Sequence, residues 1–166
     1  MKKRKVLPLS IMAVLVIVVL SFFFLSKTNF PQFSGYDNNA VLGAPTLPKT
    51  YYNEKSFVVG AKGSSSLLTA QSIKLSGIED ILDTNLKSGM DASLKCTYSS
   101  LHGSFKLVLV SNDKNVVTLF DSDKQKSGET VKVPFSIGHN LIRLAGKPTQ
   151  LENLSLTWVS TDNSKL

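Results

Sequence analysis

The sequence predicts an all-β domain, a sandwich or barrel of about eight strands, preceded by one N-terminal transmembrane helix. Three observations predict it. Apolar and polar residues alternate with period two from Tyr51 onward, and turn signals recur every 8–12 residues or so. Ahead of both, the basic cluster Lys2-Lys3-Arg4-Lys5 runs into 20 apolar-dominated residues, Val6 to Leu25.

That run has only Ser10 and Ser21 as polar members. As a helix it covers roughly 30 Å, the thickness of a bilayer's hydrocarbon core. It exceeds the apolar core of a cleavable signal, about 7–15 residues, and no small-residue cleavage pair follows Phe22-Phe23-Phe24-Leu25. We therefore read residues 6–26 as an uncleaved signal anchor in preference to a cleaved signal. Lysines and Arg4 on the N-terminal side place residues 1–5 in the cytoplasm and the rest outside. The expected location is the cell membrane, single-pass, with an extracellular C-terminal domain.

Residues 27–50 contain Pro31, Pro45 and Pro48 without periodicity and read as a linker. Phe30, Phe33 and Tyr36 within it read as aromatic anchors at the membrane interface, with packing on the domain as the alternative. The domain proper is expected at 51–166. Its first strands are Ser56–Val59 and Leu67–Leu75, with Gly60 and Gly63 between them. Ser76-Gly77-Ile78-Glu79 has capping-box spacing, and Ile78, Ile81, Leu82 and Leu86 follow at helix-like intervals; a short helix and an irregular crossover both fit. Strands are then expected at Ala92–Ser99, Ser104–Val110, Val116–Phe120, Thr130–Phe135, Leu141–Ala145 and Leu154–Trp158. Two closing faces give a core of Phe57, Leu75, Leu94, Leu107, Leu109, Leu119, Val133, Leu144 and Leu156.

Phe105 to Val110, the turn to Val116–Phe120, the Gly128 loop, Val131 to Phe135, and Gly138-His139-Asn140-Leu141-Ile142-Arg143-Leu144-Ala145-Gly146 come in a telling order. The run resembles the second half of a galactose-binding-like jelly roll, whose closing strand often reads G-x-N-x-I-R-L-x-G. It is also similar to small Gram-positive surface proteins that carry such a domain on one N-terminal span. The resemblance implies a jelly-roll-like β-sandwich over about 100 residues, and leaves carbohydrate binding, protein contacts and structural roles all open.

The formal charge of +7 dissolves on inspection. Five of the 19 Lys and Arg lie in residues 1–27, which hold no acid, leaving 14 against 12 acids for the rest. A basic ligand-binding surface, and with it nucleic acid, is not expected. Cys96 is the sole cysteine, so no internal disulfide forms; it alternates in phase with Ala92, Leu94 and Tyr98, as a core residue does.

No constellation for catalysis emerges. His102 and His139 fall in predicted turns. Ser111-Asn112-Asp113-Lys114 spells S-x-x-K, but on a turn where that motif needs a helix. Asp121, Asp123 and Glu129 are the best calcium candidates, interrupted by Lys124 and Lys126. Trp158 is in phase with Leu154 and Leu156, hence core. Tyr51 and Tyr52 sit at the domain entrance, where staple packing and binding are equally plausible, and Arg143 suggests a cross-strand ion pair. Asn153-Leu154-Ser155 has sequon form, without meaning in a bacterium. The expectation is a non-enzymatic binding or structural accessory protein that recognises a protein partner at the envelope, needs no cofactor or metal, and has unassigned ligand-binding residues. The alternative is a carbohydrate or cell-wall-binding module.

Overall fold

Strand alternation runs through more of the chain than its turn signals suggest, and the result is one antiparallel sheet folded on itself. The computed structural model describes residues 33–45, 51–55, 58–60 and 65–159. The expected membrane span, Phe30 and Phe57 lie outside these. Among the described residues no helix is long and apolar enough to cross a membrane.

A four-residue helix, α1 (Asn39–Leu42), precedes eight strands. They are β1 (Tyr51–Lys55), β2 (Val58–Val59), β3 (Ser66–Leu86), β4 (Met90–Thr97), β5 (Ser100–Ser111), β6 (Asn115–Asp121), β7 (Thr130–Phe135) and β8 (Gly138–Val159). At 21 and 22 residues, β3 and β8 are each about 70 Å long and serve two layers. In one layer the C-terminal half of β3 and the N-terminal half of β8 continue into β5 and β6. In the other, the N-terminal half of β3 and the C-terminal half of β8 lie between β1 and β2 on one side and β4 and β7 on the other. Each layer presents alternate side chains to a shared core, where Phe105 stacks on Phe120 at 5.3 Å and Phe135 meets Trp158 at 6.1 Å. Burying such side chains stabilises the fold by about 1.5–3 kcal/mol each. All of the expected core residues other than Phe57 are there.

Two expected elements are corrected. Residues 76–86 form neither helix nor crossover; they are the second half of β3. Alternation carries Leu75 inward and Ile78 outward, and the register shift between Asp80 and Leu82 inserts an extra residue that turns both Ile81 and Leu82 to the inner core. One bulge in a strand thereby mimics the spacing of a helix. Likewise Leu141–Ala145 and Leu154–Trp158 belong to one strand, β8. The missing N–H of Pro148 is tolerated because both neighbours slip register there, β5 between His102 and Ser104 and β3 between Leu75 and Gly77.

Part of the expected linker is a strap. Phe33, Tyr36, Val41 and Leu42 pack on the outer face of the first layer against Ile78, Val108, Val116 and Ala145. Tyr36 is 2% exposed, which places it on the domain and corrects its reading as a membrane-interface anchor. Lys106 lies over its ring at 4.3 Å and bonds the neighbouring Asp37. Asn38 caps α1 through Ala40, and Gly43 closes it.

Candidate functional site

Three residues of the G-x-N-x-I-R-L-x-G run are engaged in holding the fold. Gly138 has φ +94, and a Cβ there would collide with Asn112. Asn140, fully buried, accepts from Ser111 Oγ and Ser136 N and donates to the carbonyls of Ser136 and Gly138. Arg143, 1% exposed, donates from Nε to Asp80 Oδ1 at 2.7 Å, the cross-strand ion pair its alternation suggested. Its Nη1 adds the carbonyls of Leu42 and Ala44 at 2.6 and 2.8 Å, tying down the strap.

The remaining sequence candidates do not converge. His102 is exposed on β5 opposite Gln150, in a strand where a turn was expected. His139 is the second residue of β8, eleven residues and about 36 Å along the strand from that pairing. Ser111 is buried against Asn140 while Lys114 is exposed in the following turn, so S-x-x-K has no helix to act from. Asp121 lies near Lys106 and Lys124, Asp123 accepts from Ser104, and Glu129 accepts from Lys126 N. No three His, Cys, Asp or Glu among the described residues form a metal group. Trp158 packs against the core, and Asn153, at φ +52, bonds Ser99. Tyr51 and Tyr52 sit on edge strand β1; their side chains lie outside the described part of the structure. Burial pushes the Cys96 thiol up to about 12.

What the sequence did not reveal is a cleft at the free edge of β6. It holds about 630 Å³ and is lined by Asn39 and Ala40 of the strap, Ser111 and Lys114, Val116 and Val117 of β6, and Pro134 and Ser136 of the second layer. Val117 is 43% exposed in it, and Ile137, beside Ser136, is 64% exposed. β6 pairs only with β5 among the described strands, so one side of its backbone is open to pairing. Of the other described edges, β2 has two residues and β7 carries Lys132 and Pro134. From Val116 to Phe120, β6 has neither charge nor proline. The signal was present as that uncharged Val-Val-Thr-Leu-Phe run, but only the topology shows that it lies at an edge.

No family model matches the chain, and no curated protein matches it. Among solved structures it is similar to the Podospora anserina GH26-CBM35 beta-(1,4)-mannanase, at 17% identity and a TM-score of 0.32. That likeness covers 70% of this chain and 26% of the mannanase chain, so this chain spans about a quarter of that protein's length. A similarity this low decides nothing about ligand or activity.

Proposed function

We propose that the chain is a membrane-anchored, extracytoplasmic binding protein without catalytic activity, whose jelly-roll sandwich recognises an extended segment of a protein partner at the cell envelope. One observation carries this reading: β6 is an edge strand with neither charge nor proline from Val116 to Phe120, and a cleft of about 630 Å³ opens beside its first residues. A segment adding to β6 gains main-chain hydrogen bonds, sets an apolar side chain between Val117 and Pro134, and brings a carboxylate toward Lys114. The basic cluster and the apolar run at 6–26 supply the anchoring half of the reading.

The test places a photo-crosslinking residue at Thr118 of the full chain in its own membranes. A discrete protein adduct is expected from Thr118 and none from Val59, with loss of the adduct in Val117→Lys at unchanged thermal stability. Adducts only to a second copy of the chain would replace the reading with self-association. Retention on purified wall polysaccharide without any protein adduct would replace it with the carbohydrate-binding alternative.

A further inference from the structure

The turn that closes one end of the cleft is held by an unusual arrangement around His139. Its Nδ1 lies 3.0 Å from Asp113 Oδ1, in the turn between β5 and β6, and its Nε2 lies 2.9 Å from Asp83 Oδ1, near the end of β3. Ionised carboxylates only accept hydrogen bonds, and a neutral imidazole carries a single N–H. A neutral ring therefore satisfies one aspartate and turns a lone pair toward the other. Only the imidazolium donates to both.

We infer that His139 is a proton-operated clamp, which ties the β5–β6 turn to the end of β3 when protonated and releases one of the two aspartates when neutral. Asp83 from β3 and Asp113 from the turn are the charged groups that face it from the elements packed around it. Hydrogen bonding to Asp113 first, and to Asp83 second, raises its proton affinity above the ordinary imidazole range. The sign follows: the clamp's contribution is present below the imidazole value of the unfolded chain and is lost as pH rises through the higher folded value.

The turn has reason to need holding. Asn112 and Asp113 both adopt left-handed backbone, at φ +51 and +57, a conformation Asn and Asp tolerate at some cost. Two further bonds assist, Asn112 N to the His139 carbonyl and Asn112 Nδ2 to the Ile137 carbonyl. Ser111, Lys114 and Asn115 of this hairpin end line the cleft together with Ser136. Protonation thus sets how firmly one wall of the cleft is fixed. An effect on partner binding rests on the function proposed above; the clamp itself does not.

The experiment therefore uses the free full chain in detergent. The His102→Gln background leaves one histidine signal to follow by NMR against pH. Asp83→Asn and Asp113→Asn are each expected to lower the His139 midpoint, and the double variant to bring it to the ordinary range of about 6.5. After correction for intrinsic exchange, hydrogen exchange at residues 112–114 is expected to quicken several-fold as pH crosses the midpoint, and to lose that step in His139→Gln. A midpoint unmoved by both aspartate substitutions overturns the clamp. So does exchange with no step in the otherwise native chain. Neither result touches the photo-crosslinking test, so the two readings fail separately.

Discussion

Replacing Arg143 with methionine tests whether the strap belongs to the fold. The substitution keeps most of the aliphatic volume and removes three charge-assisted hydrogen bonds, to Asp80 and to the carbonyls of Leu42 and Ala44. Asp80 is 35% exposed at its side chain and rehydrates readily, so its loss of partner counts for little. The Leu42 carbonyl is buried with the guanidinium and has no such recourse. A buried acceptor left unpaired costs about 1–3 kcal/mol, and the partly buried Ala44 carbonyl adds a smaller share. The sum is about 3 kcal/mol, at the low end for breaking a buried charged pair. In a domain of this size that lowers the melting temperature by about 12 °C, which circular dichroism of the full chain in detergent reads directly. If the loss falls on strap detachment, the opening equilibrium rises about 100-fold, and native-state chymotrypsin cleavage after the buried Tyr36 rises with it. Asp80→Asn keeps an acceptor and is expected to cost about 1 kcal/mol. A melting temperature within about 2 °C of the parent, with Tyr36 as resistant as before, would refute the reasoning.

The remaining predictions address backbone and core. Gly103→Ala and Gly128→Ala both meet positive φ, +80 and +98, but only at Gly103 would the new methyl collide with the Pro148 backbone. Urea titration should find Gly128→Ala down by about 1 kcal/mol and Gly103→Ala down by clearly more; equal losses would mean that the β5–β8 approach yields freely. Cys96, with its thiol pushed up to about 12 by burial, should resist iodoacetamide at pH 8 in the folded chain and react fully in urea. Labelling of the folded chain at the unfolded rate would show that the core opens there.

The core face was legible because its signal is local. Val131, Val133 and Phe135 alternate with Thr130, Lys132 and Pro134, and that parity survives into the structure as buried and exposed. Parity fails where a bulge resets it, which is why residues 76–86 imitate a helix and why Gly146-Lys147-Pro148 imitates a loop between two strands. The strap was illegible for a different reason. Phe33, Tyr36, Val41 and Leu42 lie in a proline-rich stretch, and their partners Ile78, Val108 and Ala145 are 36 to 112 residues distant in the chain, so no local pattern links them. Arg143 was half legible: its alternation suggested a cross-strand ion pair, whose partner Asp80 only the register supplies, while its two strap carbonyls depend on tertiary placement alone.

The same distinction separates the motif from the site. Gly138, Asn140 and Arg143 are committed to a turn, a buried network and the strap, so the run that resembles a sugar-binding fold's closing strand holds the scaffold and presents little to a ligand. His139, the second residue of that run, is the exception, because it faces outward onto the β5–β6 turn. The turn also ends the unguarded edge strand, so the proposed clamp and the proposed peptide site share one element. Coupling between them is then reciprocal: a segment that binds better to the clamped turn must raise the proton affinity of His139 by the same factor by which protonation raises its own. On these two proposals the sandwich would keep its adjustable contacts at one end, where the backbone of β6 is open and His139 bridges the turn beside it to β3.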